Sequence, residues 1–346
     1  MNHPSTSTAK AFDRKQKARV PAVLKLVLPA LILSAAYQPA AKAGLISWTP
    51  TYFNDVGLSA GDFTIFQSTI GTAMNFYSTT YTSPNNVNVV VEFHAGNTGL
   101  GTTTSFNNNI GYQDYRNALA GTGTSADDAT ALLSLPNTVG NPVNSNAMVN
   151  AQLALLRALG FSEGNILVPW DASVVLNVTE MLGMLDRSGP VNPLAYDLLQ
   201  VTYHELNEVL GFTSALNGVP NIPITVPSGA IQPADPFRYK GNGLRSFTSD
   251  PNEAAYLSID GGLTPLANYN TGDGGDRQDF NGLPNASVQD AASTPGIRLD
   301  NALAERTFLD VIGYNFAPVP EPGSAVLFGT GLIVMGFRRK HRAAAL

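Results

Sequence analysis

Apolar residues in the run 59–79, SAGDFTIFQSTIGTAMNFYST, recur at helical spacing, with Phe63, Phe66, Ile70, Met74 and Phe76 or Tyr77 on one side. Ser59 is placed to cap the first turn, so the run predicts a core helix. Residues 86–93, NVNVVVEF, then read as a Val-rich strand, which the Gly and Asn residues beyond His94 end. Residues 147–159 read as helical, and 165–177, NILVPWDASVVLN, as two short strands around Asp171. Helices and strands alternate early in the domain without an internal repeat, and the roughly 275 residues between the two ends suit one large domain.

Further along, Asn192-Pro193 is a helix-start signal, Asn as N-cap and Pro at the first helical position. The helix it opens is expected to run to Leu210 and stop at Gly211. Residues 237–260 contain strand-like pieces such as AYLSID, 271–280 form a Gly/Asp loop, and 300–312 predict a last helix.

The two ends carry a different pattern. Lys10, Arg14, Lys15, Lys17 and Arg19 precede an apolar run at 26–36, and Ala41-Lys42-Ala43 offers a small-x-small cut, so residues 1–43 read as a signal peptide. At the other end Pro320-Glu321-Pro322 cannot continue a helix or a ladder and reads as an extended spacer. An apolar run at 325–337 and the cluster Arg338-Arg339-Lys340-His341-Arg342 follow it. The run is shorter than the roughly 20 residues of a comfortable span, so Gly323, Ser324 and the arginines must help to cross a bilayer. Triplet, short apolar segment and basic terminus, in that order, resemble the PEP-CTERM sorting signal of Gram-negative bacteria that make exopolysaccharide. The resemblance implies that an exosortase recognises Pro320, Glu321 and Pro322 and removes the tail. A simple C-terminal anchor is the alternative; either implies export across the inner membrane, and the sorting reading implies transient anchoring through this segment. The expected organisation is a signal peptide at 1–43, a main domain at 44–318 and a sorting segment at 319–346.

Composition narrows the partners. Between 44 and 320 there are Lys240 and eight arginines against 24 acidic residues, a balance near −15, so a nucleic acid is an unsuitable ligand. The chain has no cysteine, which excludes disulfides, thiolate zinc sites and a Cys nucleophile.

Candidate chemistry lies in LAYDLLQVTYHELNEVLGF, residues 194–212. Leu199, Tyr203, Leu206 and Leu210 form a core stripe, while His204 and Glu208 lie one turn apart on the opposite side. Ligands at i and i+4 on a rigid helix can hold one metal ion, with the adjacent Glu205 polarising a water, the logic of H-E-x-x-H. Glu208 in the second His position makes the site harder and less selective for zinc. The bland reading is a solvated helix face.

This helix, with YLSIDGGLTPLANYNTGDGGDRQDF, QDAASTPG and TFLDVIGYN downstream, resembles a family of secreted zincin-type metallopeptidases whose helix reads HE-x-x-E-x-x-G. The resemblance spans about 53–314. It implies an α+β, zincin-like domain with a mixed twisted sheet and an active-site helix, a metal (zinc, or another divalent ion) on His204 and Glu208, Glu205 as general base, and a peptide or protein substrate. Ser214 stands where a metzincin's further ligand would fall, and no Met follows Met184 in the main domain to build a Met-turn. The candidate third ligand is therefore Asp235, the first carboxylate after the helix, in a Pro-marked turn. Arg238 or Tyr239 is the candidate oxyanion stabiliser, and nothing selects between them. His94 reads as a hydrogen-bonded strand-end residue or as a contact to substrate or metal. Asp273, Asp276 and Asp279 form a candidate calcium loop, against a solvated loop as the plainer reading. A second functional class stays open: a non-catalytic surface or biofilm-matrix protein that keeps the fold and associates with exopolysaccharide.

Overall fold

Helix α1 (Ala60–Thr80) begins where its sequence predicts, with Ser59 Oγ accepting from Asp62 N at 3.1 Å. The computed structural model describes residues 44–162, 168–217, 228–272, 275–282 and 285–317. The expected signal peptide, the sorting segment and Asp273 lie outside the described residues. So does the apolar tail; among the described residues no helix is long and apolar enough to cross a membrane.

In chain order β1 (Gly44–Phe53) precedes α1, and β2 (Tyr81–Ser83), β3 (Val87–Gly96), β4 (Gly101–Ser105) and β5 (Asn107–Gly111) follow it. Then come α2 (Tyr112–Thr122), α3 (Ala126–Ser134), β6 (Met148–Gln152), α4 (Leu153–Ala158), β7 (Ala172–Asn177) and α5 (Val178–Met181). The motif helix is α6 (Leu198–Val209). A 3-10 turn at Asp235–Phe237 leads into the short strands β8 (Arg238–Gly241), β9 (Leu244–Arg245), β10 (Tyr256–Leu257) and β11 (Ala267–Asn268). Helix α7 (Leu303–Ile312) and β12 (Asn315–Phe316) close the described chain.

The main sheet is mixed, in the order β12-β2-β1-β3-β7-β4. β1, β3 and β7 run parallel, with Phe93 of β3 beside Tyr52 and Val174. β4 closes one edge antiparallel to β7, pairing Thr103 with Val174. Val87, Val89, Val91 and Phe93 alternate into the core, the period-2 burial expected of a strand with one fully covered face. Helices α1 and α6 pack on the sheet and on each other. Tyr77 ties them, its hydroxyl donating to Tyr203 O at 2.9 Å or Asn207 Oδ1 at 2.8 Å.

Three expected elements form differently. Residues 147–159 split into β6 and α4 because 148–152 pair with the Asn-rich strand β5, a partner that local periodicity does not reveal. Of the two strands expected at 165–177, Ala172–Asn177 forms one, and Asp171 before it is gripped by Arg157 through bonds of 2.7 and 2.6 Å. Helix α6 starts at Leu198 rather than Pro193. Asn192 instead makes a local turn, Oδ1 accepting from Leu194 N at 3.0 Å, and Asp197 at the helix start is drawn to Arg187 at 2.8 Å. Gly211 does end the helix, at φ +122°, with the added Cβ of any other residue 3.0 Å from Leu155 and 3.1 Å from Ile312.

Candidate metal centre

Helix α6 is buried on nearly all sides. Leu199, Tyr203, Leu206 and Leu210 face the core as the stripe predicts, but Glu205 and Glu208 are also only 4% and 7% exposed. The expectation of a solvated opposite face is corrected: β4 covers one flank, and the segments carrying Asp279 and Val288 cover another.

These segments complete a cluster. His204 donates from Nδ1 to Val288 O at 2.9 Å, which fixes the ring and turns Nε2 toward Glu208 Oε1 at 3.7 Å and Asp279 Oδ1 at 3.5 Å. Among the described residues these three side chains form the one group whose ligand atoms gather for a cation, all within 4.8 Å of one another. Ligands at about 2.1 Å around a tetrahedral ion lie roughly 3.4 Å apart, so the two Nε2 distances suit one. An imidazole held by a backbone carbonyl on its far nitrogen is the usual support of a metal-binding histidine. Asp279 is itself held by Gln289 Nε2 at 3.0 Å.

The electrostatics favour a cation in the same place. Burial raises the carboxyl of Glu205, with the charge of Glu208 adding to it, to about 8. Burial likewise lifts Glu208 to about 7 and Asp279 to about 6. Burial lowers the basicity of His204, but Asp279, Glu208 and Glu205 outweigh it and hold the imidazole well above its usual range. Crowded carboxylates and an imidazole that retain protons this strongly are groups a divalent cation would stabilise by displacing those protons.

Glu205 lies beside the trio. Thr103 of β4 donates to its Oε2 at 2.7 Å, and Oε1 rests against Gly101, where an added Cβ would come within 2.8 Å of Glu205 Cδ and Val201 Cγ1. A cleft of about 300 Å³ opens over these groups, with Gly101, Thr103 and Asp276 among its walls.

The structure does not bring Asp235 to His204 and Glu208. Its carboxylate is fully engaged by Ser214 Oγ at 2.5 Å, Gln232 N at 2.8 Å and Ala215 N at 3.1 Å, where it shapes the turn after the helix. The carboxylate that gathers with His204 and Glu208 is Asp279. Of the candidate calcium loop, Asp279 joins the cluster and Asp276 lines the cleft. Neither Arg238 nor Tyr239 reaches the cleft: both are buried, Arg238 donating to Arg277 O at 2.7 Å and lying over the Tyr269 ring. His94 is stacked on Phe53 and bonded to Asp55 at 2.7 Å, away from the cluster.

Residues 318–340 match the PEP-CTERM protein-sorting motif. The match supports export and exosortase-dependent sorting to the cell surface, as the triplet at 320–322 predicts. No curated protein and no solved structure matches the chain. The zincin-type resemblance thus has no counterpart among these matches, and the α+β architecture with its mixed sheet is what stands of that expectation.

Proposed function

We propose that residues 44–318 form a metal-dependent peptidase that is exported and sorted to the cell surface. The observation that carries this reading is the convergence of His204 Nε2, Glu208 Oε1 and Asp279 Oδ1 beside a fourth, non-converging carboxylate, Glu205, in one cleft. In it His204, Glu208 and Asp279 hold a divalent metal, zinc being the first candidate. Bound there, the metal supplies Lewis acidity to a water and to a substrate carbonyl.

The chain's own residues do the rest. Glu205, raised toward neutrality by burial, accepts a proton from the attacking water and returns it to the leaving amine. Thr103 fixes one oxygen of that carboxylate, and Gly101 leaves room for the other. β4 ends the main sheet, so its outer edge offers backbone groups with which an extended peptide can pair as an added strand across the cleft. Pairing of this kind orients the scissile carbonyl without reading side chains.

The test is metal content of the purified 44–318 protein beside His204→Ala, Glu208→Ala and Asp279→Ala, with peptide cleavage followed in Glu205→Gln. One bound metal lost in all three ligand variants, and cleavage lost in Glu205→Gln with metal retained, is the expected result. Wild-type protein that takes up no stoichiometric metal when zinc or manganese is supplied would leave the non-catalytic surface protein as the better reading.

A further inference from the structure

Three hydroxyls stand in the described lining of the cleft over His204, and two of them are spent. Thr103 donates to Glu205 Oε2 at 2.7 Å, and Thr102 donates to the carbonyl of Gly101 at 2.7 Å. The third belongs to Ser293, half-buried on the irregular segment that follows Asp290. Its hydrogen bond among the described residues is one that it accepts, from Gln200 Nε2 at 3.4 Å, so its own proton has no acceptor there.

Gln200 cannot turn its amide round. Its Oε1 accepts from Leu299 N at 3.2 Å, and a backbone N–H only donates, so Nε2 is the end that meets Ser293. The side chain is 3% exposed and is carried by α6, the helix of His204 and Glu208. The amide thus occupies a lone pair of the Ser293 oxygen and leaves the O–H to point elsewhere. The other polar side chains of the described lining are His204 and five carboxyl groups. Ser293 is therefore the neutral side-chain donor that this lining leaves uncommitted.

Its place along the helix matches the repeat of an extended peptide. β4 runs beside α6, with Gly101 against Val201 and Glu205, and Ser105 sharing a second cleft with Glu208 and Thr213. Gln200 and His204 lie on the next flank of the helix, one turn apart, which is about 6 Å along the axis. A peptide paired with the outer edge of β4 turns alternate carbonyls away from that edge, one every two residues or about 6.6 Å.

We infer that Ser293 is a substrate-binding residue that donates to the peptide carbonyl two residues from the scissile one, and that Gln200 is the positioning residue that keeps its hydroxyl donating. The inference rests on the metal-dependent peptidase reading of the cleft. The scissile carbonyl lies at the His204 cluster, and Ser293 takes the next carbonyl on the same edge of the peptide, toward the start of α6.

The experiment uses zinc-loaded 44–318 protein, a quenched-fluorescence parent peptide, and two analogues. Each analogue carries a trans-alkene in place of the peptide bond whose carbonyl lies two residues to one side of the scissile carbonyl. Ser293→Ala should lower kcat/KM on the parent about fivefold, the worth of one neutral hydrogen bond, with zinc content unchanged. On one analogue the same substitution should cost less than about twofold, because the acceptor is already gone. Ser293→Thr keeps the hydroxyl and should stay within about twofold of wild type. Gln200→Glu should match Ser293→Ala, since a carboxylate accepts the Ser293 proton and withdraws it from the cleft. A Ser293→Ala protein as active as wild type on the parent, or one that loses the same factor on the parent and both analogues, overturns the inference. Zinc-loaded wild type that cleaves no peptide defeats the peptidase reading instead. Fluorescence anisotropy of the parent peptide then tests the contact by itself, and equal binding to wild type and Ser293→Ala overturns it.

Discussion

Gln289 holds Asp279 through a hydrogen bond of 3.0 Å from Nε2 to Oδ1, while its own Oε1 accepts from Asn207 Nδ2 at 3.0 Å. One amide thus links a proposed ligand from the C-terminal half to the buried face of the motif helix. A leucine at 289 keeps the volume and removes both bonds. Gln289→Leu should weaken metal binding by about 10- to 100-fold, the usual effect of losing a ligand's supporting partner. Competition against a chelator of known affinity measures it, and unchanged affinity would show that Asp279 needs no such support.

Gly101 lies against the carboxylate of Glu205. Gly101→Ala drives a methyl into that carboxylate and Val201, so the base must move. Displacement of a catalytic group by about 1 Å can cost on the order of 100-fold in rate. We expect kcat to fall at least about 10-fold with metal still bound. A variant with full kcat would argue against Glu205 as the base.

On the proposed reading, protons and metal compete for the same cluster. In the metal-free protein Glu205, Glu208 and Asp279 hold protons to higher pH than they would unfolded, so the folded state binds more protons through the interval from about 4 to about 8. Their contribution to stability falls as pH rises through that window. His204, also raised, acts in the same direction, its contribution fully present below its unfolded value near 6.5 and lost as pH climbs through the folded one. Melting temperature in chelator should therefore decline on this account from pH 5 to 8. Added zinc should offset the decline increasingly toward pH 8, because binding displaces those protons. A zinc-induced stabilisation equal at both ends would contradict the coupling.

Asn207 is completely buried and joins Tyr77, Gln289 and Asn301. Asn207→Ala strands the acceptor oxygens of Gln289 and Asn301, while the Tyr77 hydroxyl keeps Tyr203 O. Urea unfolding should report a loss of about 3 kcal/mol, the sum of small penalties for buried polar groups left unpaired. A change under about 1 kcal/mol would mean that water replaces the amide.

What the sequence makes legible is local. Ser59 and the spacing of Phe63, Phe66, Ile70 and Met74 suffice for α1, since cap and stripe both lie within the element. His204, Glu205 and Glu208 are legible because i, i+4 spacing on a helix is a fixed geometry. Asp279 is not, because it reaches the helix across a long irregular stretch where no period links residue to position. Its only signal is membership of an Asp-rich loop. Asp235 is nearer in sequence, but backbone amides in its own turn satisfy it.

The proposed ligand set is divided between a helix and a loop roughly seventy residues later, with β8 to β11 between them. In kinetic terms such a centre closes late, since its long-range contacts must await the ordering of the intervening chain. A chain still threading through the export machinery, before its C-terminal half has docked, therefore carries the motif helix without the site. On the proposed metal-dependent reading, the arrangement leaves the precursor latent inside the cell and makes metal binding on the far side the last step of maturation.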